Sequence, residues 1–315
     1  MGTMNIQQIE YLLALDKYRN FSVAAEKIYI TQPALTIQIK NLETELGVEI
    51  FDRNKKPIIP TEIGKEIIEH ARVLLKDTQK LKDIVSEFKA DISGDLTIGI
   101  IPTVAPYIVP KFVNNFMAKY PEVNLIFSEV ISEDILTKLK DGSLDAGILV
   151  TPFPMENTIV LPLYYEKFFT YVSKEHPSIK KKTIETSELE LDDLWLLEEG
   201  NCFRNQIINI CTKGIEYNKE GKFKYESLSI DSLMKIVDSS KGITVIPEFA
   251  KELLDKEKVK MVKPFSDYNP IREVSLVIER TFLKRTLIEK LHEVIKDSVP
   301  PKMLVADGEL VSTII

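Results

Sequence analysis

The sequence predicts two folds in series: an all-α winged helix-turn-helix followed by a long linker helix, then an α/β region of two lobes. Three observations predict it. Three short helical patterns with tight connections fill residues 6–47. An amphipathic pattern then runs without a break from Thr61 to about Lys89. From Ser93 on, short apolar runs alternate with helical ones over about two hundred residues. A chain of 315 residues has room for this, and 44% hydrophobic against 28% charged residues describes an ordinary globular protein.

The elements follow in order. Ile6, Ile9, Leu12 and Leu13 fall on one face of a helix over residues 6–16. Ser22 is expected to cap a second, short helix that ends near Ile28. Thr31 caps the third, where Pro33 sits in the first turn and needs no N–H partner. Leu35, Ile39, Leu42 and Leu46 recur at spacings of four, three and four, and Gly47 ends the run. The last two helices, joined by a tight turn, read as helix-turn-helix. Residues 48–64 read as a two-stranded wing with Arg53, Lys55 and Lys56 at its tip.

Thr61 caps the long helix. Ile67, Ala71, Leu74, Thr78, Leu81, Val85 and Phe88 alternate spacings of four and three, a coiled-coil seam broken once by Thr78. About 28 residues make a rod of about 42 Å. Its place between two domains favours a linker that forms a homodimer over a helix packed on its own domain. Strand-like runs then follow: "LTIGII", "VNLIFSEV", "LDAGILV", "FTYVS", "LWLLEE", "ITVIPE" and "EVSLVIE". Helices are expected around 109–119, 132–141, 203–212, 231–239, 247–255 and 282–297. With no internal repeat, this length fits two similar lobes around a cleft. The expected domains are 4–62, 63–92, 93–299 and a tail, 300–315, with no assigned element.

Both cysteines lie in "GNCFRNQIINIC", nine positions apart. If the stretch is helical, they are separated by a rise of about 13.5 Å and face opposite ways. A disulfide needs Cα atoms within about 7 Å. Cys202 and Cys211 are therefore either two unrelated buried thiols or parts of a segment that refolds. Taken singly, each reads as packing. A zinc site asks for four closely spaced ligands, whereas His70, His176 and His292 are scattered and read as solvated surface residues. No metal and no cofactor is expected. No apolar run reaches the length of a membrane span, and the first ten residues lack the pattern of a signal peptide, so a cytoplasmic location without membrane attachment is expected. Through residue 64 seven Lys and Arg stand against eight Asp and Glu, so charge alone does not predict nucleic-acid binding.

The text itself does. "FSVAAEKIYITQPALTIQIKNLETELGVEIFDRNKKPIIPTEIG" resembles the LysR-type transcriptional regulators through Ala24-Ala25, Gln32-Pro33-Ala34, Leu42-Glu43, Leu46-Gly47, Phe51, Arg53, Thr61 and Gly64. "LTIGIIPTVAPYIVP", "GNCFRNQIINIC" and "SSKGITVIPEFA" resemble the peroxide-sensing OxyR branch of that family. The resemblance covers about residues 4–298. It implies a DNA-binding winged helix, a dimerising helix and a periplasmic-binding-protein-like (type 2) regulatory domain. It also implies a cytoplasmic homotetramer that binds promoter DNA and works with RNA polymerase.

At the residue level, Gln32, Thr36, Gln38 and Lys40 are expected in the major groove, where glutamine suits adenine and lysine suits guanine or phosphate. Arg53, Lys55 and Lys56 suit phosphates or the minor groove. Ser22, Thr31 and Pro33 complete the expected DNA-binding set. The resemblance makes Cys202 the peroxide-reactive thiol and Cys211 its resolving partner. Arg204 and Arg272 would favour the thiolate, and Thr103 and Ser132 would supply hydroxyls to the peroxide pocket. A sulfenic acid at Cys202 would then condense with Cys211 to a disulfide, reduced again by glutaredoxin or thioredoxin. Two residues depart from the family pattern: Asn201 stands where well-known members carry histidine, and Asn205 replaces an aspartate. The implied function is a hydrogen-peroxide sensor that activates antioxidant genes, not an enzyme. Its rivals are a regulator that senses a metabolite in the cleft with inert cysteines, and a thiol peroxidase, against which the DNA-binding domain stands.

Overall fold

Asn5 opens the first helix, α1 (Ile6–Tyr18): its side chain accepts the Gln8 N–H while the Gln8 side chain accepts the Asn5 N–H, a reciprocal cap. In the computed structural model, which describes residues 4–88, 92–189, 193–212, 227–282 and 284–314, the chain divides into two units. The next helix, α2 (Phe21–Lys27), is capped by Asn20, whose Oδ1 accepts the N–H groups of Ser22 and Val23 at 2.9 and 3.2 Å. Ser22 was expected to hold that position; it lies inside the first turn instead, because the asparagine one step upstream satisfies two free amides at once. Thr31 caps α3 (Gln32–Leu46), and Gly47, at φ +71, ends it in the left-handed region that glycine adopts without strain.

Leu12, Leu15, Ala24, Leu35, Ile39 and Leu42 form the buried centre of this unit. Two short strands, β1 (Phe51–Asp52) and β2 (Ile59–Pro60), pair antiparallel as the wing. Thr61 then caps the long helix α4 (Glu62–Phe88), accepting the Gly64 N–H at 3.0 Å and donating to the Glu49 carbonyl at 2.8 Å. A Cβ at Gly64 would stand 2.0 Å from the Ile50 carbonyl oxygen, so only glycine lets the helix start against the wing. Ile68 and Ala71 join the core, and Arg72 reaches Asp16 of α1 at 2.6 Å. Further along the helix, Leu74 and Leu81 are 49% and 67% exposed. The side chains of Val85 and Phe88 lie outside the described residues.

The second unit is built on strands β3 (Gly94–Ile100), β4 (Val123–Glu129), β5 (Ala146–Thr151), β6 (Thr158–Val172), β7 (Ile243–Pro247), β8 (Val262–Lys263), β9 (Pro270–Glu279) and β10 (Glu309–Leu310). They run in the order β4-β3-β5-β9-β6-β7, with β8 on β6 and β10 on β9. β3 pairs parallel with β4 and β5, the arrangement that helical crossovers impose. Helices α5 (Ala105–Lys119), α6 (Ser132–Asp141) and α11 (Arg285–Asp297) belong to this first lobe. The second lobe carries the far end of β6, β7 and β8 with α7 (Cys202–Thr212), α8 (Ile230–Asp238), α9 (Glu248–Glu252) and α10 (Lys256–Val259). The antiparallel pair β6–β9 links the lobes.

Four further expectations change. "LWLLEE" forms no strand; it touches the sheet only at a Leu194–Ile243 bridge while Leu194, Leu196 and Leu197 bury as irregular chain. β6 starts at Thr158, well before "FTYVS", and is irregular between Pro162 and Tyr164, because proline has no N–H for the ladder. His176 is buried rather than solvated: its Nδ1 accepts the Ser178 N–H at 3.1 Å. Residues 301–314, expected to hold no assigned element, are structured. Pro301–Leu304 makes a 3₁₀ turn, β10 pairs parallel with β9, and Val311 and Thr313 are buried.

Candidate functional site

Asn201 positions the first thiol. Its Oδ1 accepts the Phe203 N–H at 2.9 Å, so α7 begins at Cys202. An asparagine here supplies a helix cap, with no proton to give near neutrality. Phe203, Ile207, Ile208 and Ile210 are buried and pin the helix to the lobe. Cys202 is buried at one end of α7 and Cys211 is half-buried near the other, and both are free thiols. Nine helical positions separate them by about 13.5 Å along the axis, so the structure is that of the dithiol.

Cys202 faces the other lobe. Its Sγ donates to Ser132 Oγ, at the first residue of α6, over 3.1 Å. Arg272, at the start of β9, is fully buried. Its Nη1 and Nη2 donate to Thr103 Oγ1 at 3.2 Å and to the Thr103 carbonyl at 3.0 Å. The guanidinium also lies 4.9 Å from the centre of the Phe203 ring, which stacks on Phe168. Four of the expected site residues, Cys202, Ser132, Thr103 and Arg272, thus meet at the interlobe cleft. Arg204 goes elsewhere: it donates to the Leu197 carbonyl at 3.2 Å and approaches Glu199 at 3.6 Å.

Sequence reasoning missed the group that controls Arg272. Glu166 of β6 is its register partner across the β6–β9 ladder. Glu166 Oε1 takes Nε at 2.8 Å and Nη2 at 2.6 Å. Glu166 Oε2 accepts the Phe249 N–H at 3.3 Å. The signal was a lone glutamate in the apolar run "LPLYYEKFF". Burial pushes the Glu166 carboxyl up, and Arg272 pulls it back.

The thiols differ in degree. Burial pushes Cys202 up; the Ser132 hydroxyl and the Arg272 charge pull it down, and Glu133 adds to the rise. Burial alone pushes Cys211 up to about 12. At rest both are protonated, so the nearby cation does not by itself make Cys202 a thiolate. What the site supplies is a desolvated nucleophile, a hydroxyl ready to donate to it, and a fixed positive charge close by.

On α3, Gln32 and Lys40 are exposed and Thr36 is half-buried, each one turn from the next on one face, and exposed Pro33 lies beside Gln32. Gln32 Nε2 donates to Thr36 Oγ1 at 2.9 Å. Ile37, which sequence reasoning passed over, is 57% exposed on the same face. Gln38 lies off it and accepts from Gln8 of α1 at 3.3 Å. Ser22 is exposed and Thr31 is engaged as a cap. Lys55 and Lys56 are exposed at the wing turn. Arg53 pairs with Glu43 of α3 at 2.6 Å, and Glu43 Oε1 also accepts the Ile50 and Phe51 N–H groups. That arginine therefore ties the wing to the helix.

Comparison with known proteins gives a consistent result. The family described as "Bacterial regulatory helix-turn-helix protein, lysR family" matches residues 6–65, and "LysR substrate binding domain" matches residues 89–300. The "Hydrogen peroxide-inducible genes activator" of Haemophilus influenzae is 32% identical, over 94% of this chain and 97% of its own length. The "DNA-binding transcriptional dual regulator OxyR" of Escherichia coli is 30% identical, over 93% and 95%. Among solved structures, a full-length OxyR variant from Pseudomonas aeruginosa superposes with a TM-score of 0.74 at 29% identity, covering 93% of this chain and 98% of that one. OxyR from Porphyromonas gingivalis covers 70% and 100% at 32% identity, with a TM-score of 0.64. The chain belongs to the LysR family of bacterial helix-turn-helix regulators, in its OxyR branch.

Proposed function

We propose that the protein is a hydrogen-peroxide-sensing transcriptional regulator of the cytoplasm, which activates antioxidant genes when Cys202 and Cys211 join, and that it is not an enzyme. The observation that carries this reading is the pair of free thiols at the two ends of α7, with Cys202 hydrogen-bonded to Ser132 across the interlobe cleft. The thiolate of Cys202 attacks one peroxide oxygen. The S–O bond forms, the O–O bond breaks, and hydroxide leaves as water once it takes up the thiol's proton. Cys211 then attacks the sulfenic sulfur; the S–S bond forms and a second water leaves. Thr103 and Ser132 hold the peroxide, and Arg272 steadies the negative charge. A dithiol reductant such as glutaredoxin or thioredoxin reverses the step. Joining the thiols requires α7 to unwind, which changes the surface of the second lobe and moves the DNA-binding pairs. RNA polymerase is the partner on the promoter. Mapping of thiols by mass spectrometry before and after a brief micromolar peroxide pulse tests the reading. A Cys202–Cys211 bond is expected. Both thiols free in a protein that still activates transcription would replace it with a cleft that senses a metabolite.

For DNA, Gln32, Thr36 and Lys40 form the reading face, and Ile37 offers an apolar contact to a thymine methyl. Gln32→Ala is expected to relax base preference by about 1–3 kcal/mol of discrimination, and Ile37→Ala to relax it at a thymine. Joint replacement of Lys55 and Lys56 by alanine should instead weaken binding to every sequence and reduce the salt slope by about two. Titrations of specific and random duplexes at several salt concentrations separate the two; parent-like behaviour of both variants would displace the reading face. Ser22, Thr31 and Pro33 set the helix starts, and Arg53 supports the wing.

For assembly, exposed Val73, Leu74 and Leu81 on α4 form the seam of a homodimer, and two dimers make the tetramer. Leu74→Asp buries an unpaired charge in that seam. Sedimentation should show loss of the dimer and a fall in operator affinity; an unchanged mass would leave α4 a monomeric linker.

A further inference from the structure

The helix that carries both thiols is gripped from outside by the residues after β10. Asn205 Nδ2 donates to the Thr313 carbonyl at 3.0 Å and Gln206 Nε2 to the Val311 carbonyl at 3.0 Å. Asn209 Nδ2 donates to the carbonyls of Ser312 at 3.0 Å and Ile314 at 2.8 Å. The gripping segment is anchored independently of α7. Glu309 and Leu310 pair with Pro270 and Ile271, the Val311 N–H donates to the Ile271 carbonyl at 3.0 Å, and Thr313 Oγ1 donates to the Pro152 carbonyl. A backbone segment held in place, which bends at Thr313 and turns on the Ser312 hydroxyl, thus presents its carbonyls to three carboxamides. Asn205 and Asn209 are one turn apart, so only a helix sets their amides side by side.

We propose that residues 309–314 are a strap that holds α7 in its dithiol form and sets how readily the Cys202–Cys211 disulfide forms and persists. This rests on the disulfide reading above. The bond needs Cα atoms within about 7 Å, against a helical rise of about 13.5 Å. Unwinding α7 therefore dissolves the register that the strap reads. The four amide–carbonyl bonds exist in the dithiol and are lost in the disulfide, so the strap lowers the free energy of the dithiol alone. It weakens the disulfide and favours its reduction.

The test uses the full chain and the variant Asn209→Ser, which loses two of the four bonds while nearly keeping helix propensity. Each is equilibrated with glutathione and glutathione disulfide at varied ratios, and the Cys202–Cys211 bond is quantified by thiol alkylation. The variant should shift about tenfold toward the disulfide, a potential about 30 mV more negative. A chain ending at Gly308 should show at least the same shift, and adding Asn209→Ser to it should change nothing further, as groups in one contact are non-additive. Hydrogen exchange of the parent supplies a second readout should the shortened chain fail to fold: oxidation should remove protection from residues 205–210 and loosen 311–314 together. A parent that forms the disulfide while Asn209→Ser matches it within twofold, or while exchange at 311–314 stays unchanged, overturns the strap and leaves the sensor intact. A parent that never forms the disulfide overturns both.

Discussion

Cys202→Ser is expected to lose the peroxide response completely, and Cys211→Ser to stop at a sulfenic acid that a dimedone-type reagent traps. The asymmetry follows from surroundings. Cys202 alone has the Ser132 hydroxyl at 3.1 Å and the charge of Arg272 to offset its burial. Cys211 has burial only, which holds it at about 12, so at neutral pH almost none of it is thiolate. Serine preserves size while removing the sulfur that peroxide oxidises, so the folded unit and the DNA contacts should survive. Operator binding without peroxide should then match the parent. The pH dependence has a definite sign. Burial raises Cys202 above an ordinary thiol, so its thiolate is scarce at neutrality and grows about tenfold per pH unit below the raised value. Oxidation by peroxide in the Cys211→Ser variant should therefore accelerate steadily through pH 8 with no plateau. A plateau near pH 6 would mean that Arg272 and Ser132 outweigh burial. Oxidation of Cys211 in the Cys202→Ser variant at a parent-like rate would reverse the assignment of the two thiols.

What the sequence disclosed is what local chemistry decides. Helix starts at Thr31 and Thr61 follow from side chains that cap their own neighbours, the helix end at Gly47 follows from the left-handed backbone that glycine allows, and the spacing of Leu35, Ile39 and Leu42 sets the buried face of α3. The separation of the thiols follows from helical rise alone. What it hid is non-local. Glu166 meets Arg272 only because β6 and β9 align in one register, 106 residues apart in sequence. The gripping of α7 by residues 311–314 depends on β10 pairing with the first two residues of β9, next to the stretch that β5 covers, which two residues of strand cannot announce. Arg53 read as a phosphate contact because its carboxylate partner, Glu43, lies on another element. Gln38 and Arg204 show the same effect: Gln38 accepts from Gln8 of α1 and Arg204 donates to the Leu197 carbonyl, partners that position along the chain does not announce.

The buried pair at the cleft predicts the largest change in stability. Glu166→Gln removes the negative charge that faces Arg272 while keeping the shape of the side chain. Both residues are within 1% of full burial, so Arg272 has no water to turn to. Breaking such a pair from one side costs about 3–5 kcal/mol, because an uncompensated charge stays in the core. The fluorescence of Trp195, the one tryptophan, lies in the α/β unit and reports its urea midpoint, which should fall sharply. In molecules that remain folded, a second effect runs the other way for chemistry. Arg272 already pulls the Cys202 thiol down, and without Glu166 its charge is unopposed. Cys202 should then become more acidic and alkylate faster at neutral pH. The double variant Glu166→Leu with Arg272→Met should recover most of the stability, since apolar groups of similar volume replace buried ion pairs with little loss, yet react more slowly with peroxide than the parent. Recovery of stability together with parent-like peroxide reactivity would reduce the pair to packing. A fall in the urea midpoint of Glu166→Gln without any change in thiol acidity would show that Arg272 acts on Thr103 and the fold, and not on the sulfur.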